Sequence, residues 1–339
     1  MATTKRSAKS ETAVTAKVDG ALDGIDTKAA GPPQFHPLAK VPSPLRFALA
    51  TAMSFVIASL GYSIVSELSE GELASLSRRQ DTWGELAMLV SWRITELAVA
   101  WIGNLDGLDV AAMDFLSHGP TLYLLTTFYS LSRRTALSAL VVDVLSAAVP
   151  FAILRPLSDF HCRSKAARRE LLDWSLQLYT ATLATVIYTV TLILSLRFLL
   201  PRYLAIYFSG LPTLVPAYMA SYGGLVPVMA LFGVAASTFI FAPFAATGKC
   251  KEDDKLEDFD PVQATLGQTV WWNVWGYSAK TKVVIRRTTM AMFVTGINTF
   301  LACAMTVQGV QSTGAMAYAA VWASAVIFTG LGLGLVGRE

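Results

Sequence analysis

Charged residues are scarce in this chain of 339 residues. Asp, Glu, Lys and Arg together make up 15% of the sequence, whereas an ordinary soluble domain carries about 25%. Apolar residues reach 54%, and the mean hydropathy is +0.49. This composition excludes an ordinary soluble globular protein and is typical of an integral membrane protein.

Cysteine and histidine are equally rare, with three of each. The cysteines Cys162, Cys250 and Cys303 lie far apart, so neither a disulfide framework nor a zinc-binding spacing is present, and we expect three free thiols. Only one histidine, His118, falls in an apolar run. A metal site needs three or four converging ligands. One histidine among scattered acids does not provide them, so we expect no metal and no cofactor.

Catalytic signatures are also missing. The chain contains no P-loop, no G-x-S-x-G and no H-E-x-x-H sequence. The glycine-rich GLGLGLVG segment near the C-terminus lacks the preceding strand that a nucleotide-binding loop requires. Gly330 and Gly334 are instead spaced as a small-residue packing face on an apolar helix.

Eight runs are long enough to cross about 30 Å of hydrocarbon as helices. They predict an all-α, polytopic bundle of about eight spans over residues 45–339. The predicted spans are 45–66, 82–103, 109–131, 136–154, 171–199, 224–246, 288–307 and 314–336. Whether the second span, which carries three charged residues, crosses completely is left open.

Residues 1–44 are polar and show no apolar periodicity, which predicts a disordered tail. Acids within its first 26 residues argue against a cleavable signal or a mitochondrial presequence, so the first span is expected to act as an anchor.

The distribution of Lys and Arg predicts the orientation in the membrane. With eight spans, 20 of the 27 basic residues fall on the side of the N-terminus and 6 on the other side, while Arg93 lies within a span. Because cytosolic loops carry the excess of basic residues, we expect both termini and the 248–287 loop in the cytosol. The sequence does not distinguish the endoplasmic reticulum from the plasma membrane.

The 248–287 loop contains an acidic-basic cluster followed by an indole-rich segment. Leu266, Val270 and Val274 share one helical face with Trp271 and Trp275, and Trp272 flanks that face. This pattern predicts an amphipathic helix in the headgroup layer, with membrane lipids as its contacts. The loop is also a candidate docking site for a protein partner, and no nucleic acid partner is expected.

Six ionisable residues within the predicted spans form the candidate ligand- or ion-binding set: Glu85, Arg93, Glu96, Asp114, His118 and Asp143. Charged groups in a span usually face the bundle interior and pair there. The set either surrounds a polar cavity for a proton, ion or polar headgroup, or forms a structural hydrogen-bond network that locks the helices together.

Spacing along the helices predicts two local pairs within this set. Arg93 and Glu96, at positions i and i+3, can pair on their own helix, while Glu85 is placed near the interface. Asp114 and His118, at positions i and i+4, could orient an imidazole as a base. His118, Asp114 and Glu96 would be the acid-base candidates if the protein were an enzyme.

The segments LGYSIVSELSEGELASLSRRQDTWGELA (60–87), SHGPTLYLLTTFY (117–129), FAPFAATG (241–248) and GQTVWWNVWGYSAKTKVVIRRT (267–288) support a family resemblance. From about Pro42 to the C-terminus, the chain resembles a family of multi-pass membrane proteins of filamentous ascomycete fungi. The resemblance implies a fungal origin and the same membrane-bundle fold, and it carries over no activity, cofactor or site residue.

Three functions remain open at this level. The first is a carrier or channel-like protein for a small polar or lipidic ligand, which is not an enzyme. The second is an intramembrane enzyme that modifies a lipid or isoprenoid. The third is a structural or accessory subunit that docks a partner through the indole-rich loop.

Overall fold

The computed structural model describes residues 42–155, 174–247, 253 and 264–336. The chain divides into two units, Met1–Ala39 and Lys40–Glu339, and every described residue belongs to the second. The predicted tail therefore lies outside the described residues up to position 41. Residues 156–173, which include the segment between the fourth and fifth predicted spans, and all of the acidic-basic cluster except Asp253 also lie outside them.

All regular elements in the described part of the chain are helices, and pairing between extended segments is limited to two isolated bridges. In chain order the α-helices are α1 (Ser43–Leu68), α2 (Glu72–Leu76), α3 (Trp83–Ile102), α4 (Gly107–Phe128), α5 (Arg133–Leu154), α6 (Trp174–Phe198), α7 (Leu200–Tyr207), α8 (Val215–Tyr218), α9 (Tyr222–Ala236), α10 (Ala242–Ala246), α11 (Leu266–Trp275), α12 (Ala279–Leu301) and α13 (Ser312–Val336). Two π-helical turns, Ser237–Phe241 and Ala302–Thr306, follow α9 and α12.

Within the described residues, six helical segments are long and apolar enough to cross a membrane. They are Ser43–Leu68, Arg133–Leu154, Trp174–Phe198, Tyr222–Ala245, Ala279–Thr306 and Ser312–Val336. The prediction of an all-helical membrane protein is therefore confirmed. The other two predicted spans, α3 and α4, form helices where expected but are not among these six, so the count of eight remains a prediction.

Side-chain caps fix where several helices begin, because the first N–H groups of a helix have no partner within it. Thr82 caps α3, Asp106 caps α4 and Ser132 caps α5. Ser278 caps α12, which consequently begins at Ala279, earlier than the predicted start at 288. The basic residues from Lys280 to Arg287 are therefore helical.

Helix α4 lies at the centre of the bundle. It contacts α5 on one side and α9 and α12 on the other, and most of its length is buried. Helices α6 and α9 approach closely at Gly233, where an added Cβ would lie 2.7 Å from the carbonyl oxygen of Ala181. Gly330 and Gly334 face Thr288 and Val284 of α12, which confirms that this glycine pair packs two helices together.

Helix α3 lies beside α1 and α12 and contacts each of them only sparsely. Its buried residues are Glu96, Leu97 and Ala100, while Leu86, Met88 and other apolar side chains point outward. Its inward face is thus partly polar, which places charged groups inside the bundle.

Candidate functional site

A cavity of about 340 Å³ lies between α1, α3, α4, α5 and α12. Its polar walls include Tyr62, Arg93, Glu96, His118, Asp143 and Asn298. The rest of the lining is mainly apolar, with leucines from α3, α4 and α12. A mainly apolar pocket with a few convergent polar groups is the usual form of a small-ligand site; we call this cavity the polar pocket.

Arg93 joins four helices at the inner wall of the polar pocket. Its Nη1 donates to Glu96 Oε2 at 2.8 Å and to Asp114 Oδ2 at 3.4 Å. Its Nη2 donates to Ser146 Oγ of α5 at 2.8 Å and to Ser54 Oγ of α1 at 3.5 Å. The predicted Arg93–Glu96 pair is therefore present, and the planar guanidinium extends it into a network between helices.

Asp143 forms a second polar wall. Tyr62 of α1 donates its hydroxyl to Asp143 Oδ1 at 2.7 Å, and the Ser146 hydroxyl donates to the backbone carbonyl of Asp143 at 2.8 Å. The carboxylate of α5 is thus held toward α1 and the pocket. Both carboxylate-bearing walls meet at Ser146, which also accepts from Arg93.

A chain of hydrogen bonds runs from α3 through α12 to α4. Trp92 Nε1 donates to Asn298 Oδ1 at 3.0 Å, and Asn298 Nδ2 donates to the Ser117 carbonyl at 3.1 Å. The Ser117 hydroxyl lies 3.1 Å from Glu96 Oε1 and 3.0 Å from His118 Nδ1. These contacts fix the indole, the imidazole and the Glu96 carboxylate at one end of the pocket.

Three possible metal-ligating side chains converge beside this chain. One ligand atom each from Glu96, Asp114 and His118 lies within 4.8 Å of the other two. The acids that are scattered in sequence are brought together because α3 packs its polar face toward α4. Asp114 Oδ1 is shielded from solvent and has no hydrogen-bond partner among the described residues.

Helix α2 and Ser77 cover one end of the polar pocket. The backbone N–H of Arg78 donates to the Thr306 carbonyl at 2.7 Å, and Gln308 N–H donates to the Leu76 carbonyl at 3.0 Å. The cover is therefore joined to the chain that follows α12. That chain leaves through the π-helical turn Ala302–Thr306, and such turns are frequent at functional sites.

Glu72 joins the same cover to the start of α5. Its carboxylate accepts from Thr135 Oγ1 and from Ser132 N–H, each at 2.7 Å. The hydrogen bond from Thr135, followed by that from Ser132, lowers the pKa of Glu72 below its ordinary range. The ionised form of Glu72 therefore stabilises the position of α2 over the pocket.

The structure brings most of the predicted site residues together. Arg93, Glu96, His118 and Asp143 line the polar pocket, and Asp114 lies directly behind them, bonded to Arg93. Glu85 does not join this group. It sits in the first turn of α3, where it pairs with Arg78 near the cover.

Several residues of the site carried no sequence signal as site residues. Tyr62 lies in an apolar first span, and Ser54 and Ser146 are small polar residues of a kind common in membrane helices. Asn298 was visible as a polar residue in the seventh span. Only knowledge of which helix faces which could have linked it to Trp92 and Ser117.

A second buried ion pair joins α4 to α12. Arg287 Nη1 lies 2.9 Å from Asp109 Oδ1, and Nη2 donates to Oδ2 at 3.0 Å. The guanidinium also lies 5.0 Å from the ring of Phe239. From the sequence, Arg287 was treated only as a cytosolic basic residue, and this bidentate pair was not predicted. On α4, Asp109 lies about nine residues, or roughly 13 Å of helix rise, from His118.

The indole-rich segment is helical, as predicted, and forms α11, while its place in the headgroup layer stays a prediction. Thr265 and Gln268 form a capping box at its start, and Leu266, Trp271 and Val274 are largely exposed. The predicted roles of Trp271, Trp272 and Trp275 toward lipid or a protein partner stay predictions.

No family model matches the chain, and no match is found among curated proteins or solved structures.

Proposed function

We propose that this protein is a carrier or channel-like membrane protein that binds a small polar ligand in the polar pocket. The observation that carries the proposal is that charged side chains face a cavity of about 340 Å³ inside a bundle of apolar helices. Charged groups within spans are costly and commonly mark the pathway of a substrate or ion.

The cavity supports ligand binding over a purely structural network. In a network that only locks helices, each buried polar atom is satisfied by another. Here His118 and Asp143 border open volume, and Asp114 Oδ1 has no hydrogen-bond partner among the described residues. The site thus retains hydrogen-bonding capacity that a ligand can use.

The position of the cavity supports a carrier over an open pore. The polar pocket lies at the end of the bundle that α2 covers. The Asp109–Arg287 pair joins α4 to α12 nearer the opposite end, where α4 begins. With the predicted orientation, the covered end faces away from the cytosol. A polar site that bonded side chains separate from one face, rather than a channel open to both, is compatible with a carrier in which access alternates around a fixed site.

The proposal is tested by uptake into proteoliposomes. Liposomes that contain the full-length protein are incubated with a mixture of small polar metabolites, and the solutes that enter are identified by mass spectrometry. We expect at least one solute to accumulate above protein-free liposomes, and Glu96→Gln to lower that uptake at least about tenfold, a loss of roughly 1.4 kcal/mol.

Glu85→Gln is the matched control, because Glu85 lies on the same helix but pairs with Arg78 outside the pocket. Its uptake should equal that of the wild type. Absence of any solute above protein-free liposomes, or equal uptake by the Glu96→Gln variant, would contradict the proposal.

The contact between Ser117, His118 and Glu96 favours a second candidate function, an intramembrane enzyme acting on a lipid. The imidazole nitrogen lies 3.0 Å from a hydroxyl that itself lies 3.1 Å from a carboxylate oxygen, an arrangement suited to proton transfer. In this case, His118→Ala should remove a lipid product that wild-type cells contain, with the protein level unchanged. An unchanged lipid profile would exclude this candidate.

A further inference from the structure

The acids around Arg93 outnumber the available cations. In their charged forms, Glu96, Asp114 and Asp143 oppose a single guanidinium, so the group carries two unbalanced negative charges when His118 is neutral. Coulomb attraction and repulsion act strongly among groups this well shielded from water. A divalent cation would bring the group to neutrality.

Arg93 contacts only one carboxylate oxygen of Glu96 and one of Asp114. They are Glu96 Oε2 and Asp114 Oδ2. Of the two remaining oxygens, Glu96 Oε1 is contacted by the Ser117 hydroxyl and Asp114 Oδ1 has no partner in the described part of the chain. One oxygen of each acid is thus held by the guanidinium, and of the other two only Asp114 Oδ1 lacks a partner among the described residues.

The imidazole supplies the third donor. Its Nδ1 lies 3.1 Å from the Asp114 carbonyl oxygen. When Nδ1 carries the proton and donates to that carbonyl, Nε2 is left with a free lone pair, as in most histidines that bind metals. The tautomer of a ligating histidine is commonly fixed by such a bond to a backbone carbonyl.

From the convergence of Glu96, Asp114 and His118 and the unpartnered Asp114 oxygen, we propose that the polar pocket holds a divalent transition cation in the Mn²⁺ to Zn²⁺ range. One imidazole nitrogen and two carboxylates suit these ions better than Mg²⁺ or Ca²⁺, which prefer oxygen ligands alone. The inference rests on the proposed function in that it names the ligand class of the same pocket.

The geometry requires only small movements. Ligands held about 2.1 Å from a tetrahedral ion lie roughly 3.4 Å apart, whereas one candidate ligand atom from each of Glu96, Asp114 and His118 lies within 4.8 Å of the other two. The donors close by at most about 1.4 Å, which side-chain rotation on α3 and α4 can supply. Glu96 and His118 also line the cavity, so the cation would lie at the inner wall of the polar pocket.

The test uses Co²⁺ as the probe on the full-length protein in nanodiscs, after removal of bound metal with a chelator. Visible absorption of Co²⁺ reports inner-sphere ligands, and we expect one ion per chain. Asp114→Asn and His118→Gln should each raise the dissociation constant for Co²⁺ at least about tenfold. Glu85→Gln should leave this constant unchanged. Size-exclusion profiles verify that each variant is folded.

A measurement on the wild type keeps the inference testable if a variant fails to fold. Pulsed electron paramagnetic resonance of bound Mn²⁺ should show coupling to one imidazole nitrogen. Absence of Co²⁺ binding, which would mean that protons balance the acids, overturns the inference. Equal binding by the Asp114→Asn and His118→Gln variants, or a bound ion without imidazole coupling, overturns it as well.

The outcomes separate this inference from the proposed function. Solute uptake without Co²⁺ binding would leave the carrier proposal standing and remove the cation site. Co²⁺ binding at Glu96, Asp114 and His118 without uptake of any solute would support the cation site and contradict the carrier.

Discussion

The guanidinium of Arg287 lies 2.9 Å from the Asp109 carboxylate and joins the first turn of α4 to α12 within the bundle interior. Asp109 is fully buried and Arg287 nearly so. Removing one partner of a buried pair leaves an uncompensated charge, which costs about 3 to 5 kcal/mol. Arg287→Met should therefore lower the free energy of unfolding in nanodiscs by this amount.

Arg286→Met is the matched control for this change, since Arg286 is the exposed neighbour on the same helix and its loss should cost less than about 0.5 kcal/mol. The double variant Asp109→Asn/Arg287→Met should recover part of the stability. Equal stability of the Arg286→Met and Arg287→Met variants would show that the ion pair makes no net contribution.

The hydrogen bond from Tyr62 to Asp143 gives a second prediction. Hydrogen bonds to charged groups contribute about 1.5 to 3 kcal/mol, so Tyr62→Phe should destabilise the protein by this much while preserving the ring. Tyr179→Phe, at an exposed tyrosine of α6, serves as the control in the same denaturation experiment. A Tyr62→Phe variant as stable as the control would argue against a bond between α1 and α5.

Close packing of α6 against α9 predicts a steric effect at Gly233. A methyl group there would meet the backbone carbonyl of Ala181 as well as Thr185, so Gly233→Ala should cost about 1 to 3 kcal/mol through overpacking. Gly223→Ala in the first turn of α9 meets nothing within 4 Å and should be neutral. Thermal unfolding of the two variants side by side decides the point.

The pKa of Glu72 predicts a pH dependence for the cover of the polar pocket. Because hydrogen bonds from Thr135 and Ser132 lower this pKa in the folded state, the stabilisation is fully present above the ordinary value of 4.5. This stabilisation is lost as the pH falls through the pKa that Glu72 has in the folded protein. Glu72→Gln should thus be less stable than wild type near neutrality, and the difference should shrink in acid.

Glu67→Gln, at an exposed acid near the end of α1, provides the comparison in that titration. Its unfolding temperature near neutrality should stay close to that of the wild type, because the side chain is exposed. A difference between Glu72→Gln and wild type that does not change with pH would rule out the ionised carboxylate as the source.

The predicted orientation can be checked by thiol labelling in a variant without native cysteines. An impermeant maleimide should reach Asn273→Cys on α11 only from the cytosolic side. It should reach Ser75→Cys on α2 only from the opposite side. Both positions are exposed, so labelling of the two from the same side would overturn the predicted topology.

The sequence predicted the helices well because each apolar run is a local property of the chain. It also predicted the Arg93–Glu96 pair, since both residues lie on α3 at a spacing of three. It did not predict that Arg93 reaches Asp114 and Ser146, because helical periodicity does not say which helix faces which. Spacing alone could not place Tyr62 against Asp143 for the same reason.

Two further differences have local causes. Glu85 was included in the candidate binding set, yet it pairs with Arg78 in the first turn of α3, in line with its expected place near the interface. The start of α12 was placed too late because hydropathy marks where a helix becomes apolar. The helix itself begins at Ala279, after the Ser278 cap.

The few contacts that α3 makes with its neighbours affect how the protein is synthesised. Arg93 bonds to Asp114 and Ser146, and both residues follow α3 in the chain, so they reach the membrane after it. Until α4 and α5 emerge, Arg93 would have to enter lipid with Glu96 as its one charged partner, which is costly. We therefore expect α3 to wait at the translocon and to insert together with the helices that follow it.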